Sequence, residues 1–482
     1  MTESHSAPLT LFNSLTRQAE PFVPVHPGEA RVYTCGPTVY NFQHIGNMRA
    51  YIFADTLGRV LSWKGYKLTH IINITDVGHL TSDADAGDDK MEKAASAAGK
   101  SAWDIAKFYT DAYWRDIERL NIRQPAKWSI ATEHVEAMID FAKSIADKHC
   151  YELESGLYFD TSTVPGYGSL ARANTDDGES RIDPVEGKRH ATDFAIWRKT
   201  PAGETRQMEW DSPWGKGAPG WHLECSVMSK MYLGETFDIH TGGIDHREIH
   251  HPNEIAQNQA HSCSADTGAN IWMHNNFLVD RGGKMSKSAG EFLTLQWLVD
   301  RGVHPLAYRL MCLQAHYRSE LEFTFDNLLA ALTRIKRMVM AVEQLKAQTE
   351  PADRCTHPRL RERLDAFDAA VSDDLNTPKA LTHLDEILAH KKIDRGEKLA
   401  AVSEADAVLG LNLLTLNRTD LRIRPTDAEI DETEIERQLD LRRDAKASKN
   451  FPAADAIRDD LAARGVEIMD GDPLRWDWRI TA

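Results

Sequence analysis

The strongest constraint on the fold lies in the first 75 residues, which read as strand, loop, helix and strand. Residues 30 to 36, Ala-Arg-Val-Tyr-Thr-Cys-Gly, form a short β-rich run stopped by Gly36-Pro37. The stretch from there to about Lys64 carries helical spacing in Ile52, Ala54, Leu57, Val60 and Leu61. A second strand is expected over Lys67 to Thr75. Such a β-α-β unit builds parallel, Rossmann-like sheets of the α/β class, and the N-terminus of its helix is a ready anion site.

The chain is 482 residues long, room for about three domains at roughly 150 residues each. From about 92 to 150 the pattern is helical, and from about 151 to 205 it turns to short Gly-, Pro- and Asp-rich segments, so 120–205 is read as an insertion. Sheet signals return at Thr236 to Gly243 and Ile271 to Val279, making residues 1–320 one interrupted parallel-sheet domain. Residues 321–424 carry long helical runs, Leu328 to Gln348, Arg359 to Val371 and Pro378 to Ala389, and are expected to form a helical bundle. A linker at Arg424-Pro-Thr-Asp-Ala precedes a small unit over 430–482, with helices at Glu432 to Lys446 and Ala453 to Arg464.

Lys and Arg number 57 against 73 Asp and Glu, a net charge of −16 that opposes nonspecific polyanion coating but leaves room for a local basic track. The last 42 residues are balanced, with Arg442, Arg443, Lys446 and Lys449 clustered. Six cysteines stand far apart with no Cys-x-x-Cys pair, which fits a reducing, cytoplasmic compartment. No basic and apolar leader opens the sequence and no run of about 18 apolar residues occurs, so neither secretion nor a membrane span is expected.

Two short segments carry chemistry. After the first strand stands Pro37-Thr-Val-Tyr-Asn-Phe-Gln-His44-Ile-Gly46-Asn47, and after a later strand stands Gly282-Gly283-Lys284-Met285-Ser286-Lys287-Ser288. A histidine before a tight glycine at a helix N-terminus can donate to a polyphosphate held by backbone N–H groups. Two lysines three apart on a glycine-hinged loop can clamp the same anion as charge builds on it. Together the two segments resemble the HIGH and KMSKS motifs of class I aminoacyl-tRNA synthetases. The resemblance implies catalytic roles for His44, Asn47, Lys284 and Lys287, with ATP contacts from His44, Gly46, Asp245 and Lys287. Position 47 departs from the motif: Asn can donate a hydrogen bond there but cannot carry charge.

A third set consists of Cys35 at the end of the first strand, Cys225 in Gly220-Trp-His-Leu-Glu-Cys225, and His250 and Glu254 in His250-His251-Pro252-Asn253-Glu254. In these contexts it resembles the zinc site of the cysteinyl-tRNA synthetase family, which implies one Zn2+ per chain. Two thiolates, an imidazole and a carboxylate suit zinc. A soft metal separates cysteine from serine where shape alone supplies only about 1–3 kcal/mol. Pro252 departs from the family's pattern and leaves His251 as the alternative ligand. By the same resemblance, Gly36, Thr75 and Trp221 line a cysteine pocket, and Gly242-Gly243-Ile244-Asp245 contacts the nucleotide.

The resemblance covers nearly the whole chain and implies a class I synthetase catalytic domain with an insertion, a helical bundle and a small C-terminal anticodon-binding domain. It implies ATP-dependent activation of L-cysteine, with Mg2+ assisting, and transfer to the 3′ end of tRNA(Cys) by a monomer. Arg442, Arg443, Trp478 and Arg479 are the expected tRNA contacts, the tryptophan offering a ring face to an unpaired base. An ATP-dependent cysteine:amino-sugar ligase shares the first step and is the alternative. It lacks the C-terminal domain. A noncatalytic tRNA- or zinc-binding descendant is opposed by the presence of His44, Lys284, Lys287 and the zinc set.

Overall fold

A computed structural model describes residues 6–77, 90–171, 187–279, 293–469 and 472–480. The chain opens with an antiparallel hairpin, β1 (Thr10–Asn13) and β2 (Gln18–Pro21). The expected unit follows as β3 (Glu29–Thr34), α1 (Ile45–Trp63) and β4 (Lys67–Ile74), with β3 and β4 parallel. Ile45, Met48, Ile52, Leu57, Val60 and Leu61 of α1 are buried, as their three- and four-residue spacing requires. Two helices, α2 (Lys90–Ala98) and α3 (Ala102–Arg119), lead to β5 (Lys127–Ile130), which pairs parallel with β4. The stretch read as an insertion from about 120 therefore begins with an edge strand of the central sheet.

Next come α4 (Val135–His149) and an antiparallel four-stranded sheet of β6 (Cys150–Leu153), β7 (Gly156–Phe159), β8 (Phe194–Lys199) and β9 (Gly217–Pro219). The central sheet resumes through α5 (Trp221–Leu233), β10 (Phe237–Gly243), α6 (His250–Ser262) and β11 (Ala269–Asn275). Its order is β11-β10-β3-β4-β5, all parallel. Strand order reverses between β3 and β10, and an open α/β sheet offers its ligand crevice at the carboxyl ends of such a pair. Short strands β12 (Leu278–Val279) and β13 (Leu321–Glu322) pair across α7 (Leu295–Asp300) and α8 (Pro305–Leu313).

The helices α9 (Phe325–Lys346), α10 (Pro358–Ser372), α11 (Thr377–Ala389) and α12 (Arg395–Leu409) share one continuous apolar core with α1, α3 and α8. A charged knot lies within this junction. Arg309 of α8 is fully buried, its guanidinium 2.7 Å from Asp55 of α1 and bonded to the carbonyls of Leu409, Leu120 and Asn121. Arg59 pairs with the same Asp55 oxygen at 2.7 Å and donates to the Ala407 carbonyl. Burial raises the Asp55 carboxyl, but Arg309 and Arg59 more than reverse this and hold it below the ordinary carboxylate range.

The C-terminal unit holds α13 (Glu432–Ala447), α14 (Phe451–Ala463) and a hairpin of β14 (Val466–Ile468) and β15 (Trp476–Trp478) around a separate small core. The expectation that Trp478 offers a face to RNA is corrected here. Trp478 is 3% exposed and Trp476 fully buried, their rings in contact at 5.3 Å and packed with Ile430, Ile435, Leu439 and Leu461.

His70 of β4 is buried, its Nε2 2.7 Å from Thr34 Oγ1, and burial depresses its imidazole to about 4. Unfolded, it titrates near 6.5, so the native state binds fewer protons between these values. Stability from His70 is full above pH 6.5 and falls by up to roughly 3 kcal/mol as pH drops through 4. Urea unfolding at pH 7 and pH 4 is expected to show a smaller acid loss in His70→Gln than in the parent; equal losses would contradict this.

Candidate active site

At the carboxyl ends of β3 and β10 opens a cleft of about 460 Å³, lined among others by Cys35, Gly36, His44, Gly46, Asn47, Trp221 and Asp245. The strand ends are tied by the Cys35 N–H donating to the Thr241 carbonyl at 3.1 Å. Gly36 is required by crowding: a Cβ there would fall 1.6 Å from the Asn73 carbonyl oxygen. At Gly242 a Cβ would come within 2.7 Å of both the His246 and His251 rings.

His44 is the N-cap of α1, its Nδ1 accepting from the Gly46 N–H at 3.0 Å. Accepting at Nδ1 leaves the proton on Nε2, and burial lowers the imidazole below its ordinary value. The ring therefore presents a neutral N–H donor. Its backbone is held by residues beyond the lysine-bearing segment: His44 bridges Thr294, and the Ile45 N–H donates to the Leu293 carbonyl at 2.8 Å. Asn47 is exposed at the cleft and donates to Gln43 Oε1 at 3.1 Å. Lys284 and Lys287 lie outside the described residues.

Beneath the cleft Cys35, Cys225, His250 and Glu254 converge, each offering a donor atom within 4.8 Å of the others. The two sulfurs stand 3.9 Å apart, too far for a disulfide and near the roughly 3.8 Å edge of a tetrahedron with Zn–S bonds of about 2.3 Å. Glu254 Oε1 lies 4.0 Å from Cys35 Sγ and 3.0 Å from His250 Nε2. A second quartet of Cys35, His240, His251 and Glu254 meets the same spacing and shares two members with the first.

The protonation pattern fits a divalent cation. Burial disfavours a Cys35 thiolate, and neighbouring Cys225 reinforces this, so the thiol is pushed well above its ordinary range. Burial opposes a Cys225 thiolate too, but hydrogen bonds from Cys35 and His250 bring it down to about 6. Burial would lower His250, yet Glu254 and Cys225 raise it to about 10. Burial would raise Glu254, yet His240 and His250 hold it at about 2. Two protons, on Cys35 and His250, thus occupy a set where one dication could replace them with no change in total charge.

A second layer orients these groups. His240 Nε2 lies 2.9 Å from Glu254 Oε2, His222 Nδ1 2.9 Å from His250 Nδ1, and His251 Nδ1 2.8 Å from His274 Nε2, whose Nδ1 meets Ser14 Oγ at 2.8 Å. Trp221 packs on His250 with ring centroids 4.3 Å apart. The expected pocket residue Thr75 is buried behind the cleft wall, donating to Glu224 Oε2 at 2.8 Å. Burial pushes the Glu224 carboxyl well above the usual range, with Cys225 adding to the shift. Sequence reasoning missed Glu224, His222 and His274; the density of His240, His246, His250 and His251 within twelve residues was the available signal for the histidine layer.

The sequence profile described as tRNA synthetases class I (C) catalytic domain matches residues 21–333, well over half of the chain. The backbone is similar to Mycobacterium tuberculosis methionyl-tRNA synthetase in complex with methionyl-adenylate, with a TM-score of 0.52 over 80% of this chain and 90% of that one. At 14% identity this likeness speaks for the fold alone. Fold and profile together define a class I aminoacyl-tRNA synthetase. Relatives named cysteine–tRNA ligase include one from Novosphingobium aromaticivorans, 68% identical over 481 residues, and one from Zymomonas mobilis subsp. mobilis, 54% identical over 507, each alignment covering 98% of both chains. The chain belongs to this family.

Proposed function

We propose that this cleft joins L-cysteine to ATP as cysteinyl-adenylate and passes the cysteinyl group to the 3′ end of tRNA(Cys). The observation that carries the reading is the Cys35–Cys225–His250–Glu254 set under a nucleotide cleft at the switch point of a parallel sheet. The amino-sugar ligase alternative is set aside, because relatives named cysteine–tRNA ligase align along 98% of both chains, the C-terminal unit included.

The substrate carboxylate attacks the α-phosphorus of ATP, and pyrophosphate leaves. His44 Nε2–H, at the positive end of the α1 dipole, is placed to donate to a phosphoryl oxygen as negative charge shifts toward the leaving group, while the Ile45 and Gly46 N–H groups are taken by the Leu293 carbonyl and the His44 ring. Lys284 and Lys287 are assigned the same task, and Mg2+ is assigned to the phosphates. Cys35, Cys225, His250 and Glu254 are the proposed ligands of one Zn2+. The first quartet is preferred because it offers two sulfurs and leaves His240 to orient Glu254 through its other oxygen. Bound zinc supplies a soft Lewis acid that favours a sulfur-bearing substrate. Trp221 and Gly36 shape the space beside it, and Asp245, 63% exposed at the rim, is assigned to the nucleotide.

For tRNA, Arg442, Arg443 and Arg479 remain the proposed contacts. Arg443 and Arg479 are exposed and Arg442 half-buried, and the exposed ring of this unit is Phe451, 59% open. Among the described residues no helix is long and apolar enough to cross a membrane. A cytoplasmic monomer is the proposed working form.

ATP–pyrophosphate exchange run with cysteine and serine in parallel tests the reading. Exchange is expected with cysteine at more than about 200 times the serine rate, beyond what pocket shape supplies. No exchange, or serine within that factor, would sink it.

A further inference from the structure

Phe42, in the loop between β3 and α1, lines the cleft and yet is 44% exposed. Its ring meets two rings of α3 edge to face, Phe108 with centroids 5.9 Å away and Tyr109 at 5.1 Å. Phe108 and Tyr109 touch at 5.1 Å, and Phe108 is likewise 44% exposed. An aromatic surface thus runs from the cleft wall out onto α3. Charges of both signs stand beside it: residues 90–100 hold Lys90, Lys93 and Lys100 against Glu92, and Asp104 and Asp111 lie one turn to either side of Phe108 on α3, Asp111 paired with Lys107. Lys100 Nζ stands 5.4 Å from the centre of the Phe108 ring, and Lys90, which lines the cleft, 5.3 Å from that of Tyr40.

We propose that the Phe42–Phe108–Tyr109 surface stacks the unpaired bases at the 3′ end of the tRNA substrate while the terminal ribose reaches into the cleft. The proposal rests on the ligase reading above. A single-stranded end presents flat π faces and phosphates in alternation, the pattern that exposed rings edged by ammonium groups recognise. Continuity selects this occupant. The reacting hydroxyl must enter the cleft, so the bases next to it must lie at the mouth, and Phe42 belongs to both cleft and patch. A docked protein or an acceptor-stem contact are the rival occupants that the test separates.

Phe108 stands outside the cleft lining and is the residue to vary in the full chain. In Phe108→Ala, cysteine-dependent exchange is expected to stay within twofold of the parent, while kcat/KM for tRNA in aminoacylation falls about tenfold, as for one lost base–aromatic stack. Phe108→Trp, which keeps a ring face, is expected to retain charging. Affinity for tRNA lacking its last three nucleotides is expected to be equal in parent and Phe108→Ala. Unchanged charging by Phe108→Ala overturns the proposal, and so does an equal affinity loss on intact and trimmed tRNA, which would move the contact elsewhere. Absence of exchange in the parent is a different failure, and it overturns the ligase reading itself.

Discussion

A Cys225→Ser protein is expected to emerge without its bound metal and to lose more than about 100-fold in cysteine-dependent ATP–pyrophosphate exchange. Cys225 is buried on α5 with its sulfur 3.9 Å from that of Cys35, and its hydrogen bonds from Cys35 and His250 mark it as the thiolate of the cluster. Serine at this site supplies a hard, protonated oxygen on a shorter bond, a poor match for zinc. Changing a group that only orients a metal ligand costs 10- to 100-fold in metal affinity or activity, and removing the ligand itself exceeds that range. Elemental analysis together with exchange rates checks both halves. Paired variants decide between the two quartets. If His250→Ala strips the metal and His251→Ala retains most of it, the site contains Cys225. If Cys225→Ser keeps a full complement while His251→Ala loses it, the cation belongs to Cys35, His240, His251 and Glu254, and the assignment made here is wrong.

The parts of this site that were legible in the sequence are those whose partners lie close along the chain or whose local pattern is rigid. The β3-α1-β4 unit announces itself through the apolar period of α1 and the Gly36-Pro37 stop, and that unit alone puts Cys35 and His44 at the mouth of the same sheet. The four residues of β5, Lys127–Ile130, hold too little alternation to be told from the helices around them; only the open edge of β4 makes them a strand. The histidine layer was illegible for a related reason. His222 and His274 reach His250 and His251 across 28 and 23 residues of chain, and which ring faces which is settled by the packing of α5, α6 and β11. Trp478 was misread although a signal existed. Residues two apart on a strand share a face, so Trp476 and Trp478 had to point together, and a paired tryptophan face on a two-stranded ribbon is more easily buried than left to RNA. The intervening Asp477 is buried as well, held by Arg418 and Lys336, which ties the hairpin to the end of the helical bundle.

Replacing Arg309 with methionine is expected to destabilise the protein by about 3–5 kcal/mol, the range for breaking a buried ion pair from one side. The guanidinium is fully buried and contacts the Asp55 carboxylate and the carbonyls of Leu409, Leu120 and Asn121, so its loss takes one cation from a buried acid and this donor from the Leu409 and Leu120 carbonyls, while Arg59 still donates to the Asn121 carbonyl. Arg59 remains on Asp55 and limits the damage to less than a free buried charge would cause. A double variant, Arg309→Met with Asp55→Leu, is expected to recover none of the loss, because it leaves the buried Arg59 guanidinium without its carboxylate. Urea unfolding of the parent, both single variants and the double variant measures the coupling; a change under about 1 kcal/mol in Arg309→Met would mean that the junction is held by its apolar core alone. The site responds through α1. Asp55 and Arg59 lie on the same helix whose first residues are capped by the His44 ring, so a loosened knot lets that helix shift and moves the Nε2–H donor relative to the cleft. Exchange by Arg309→Met is therefore expected to fall below the parent at temperatures where the fold is still intact, whereas a purely global destabilisation would leave the rate unchanged until unfolding begins.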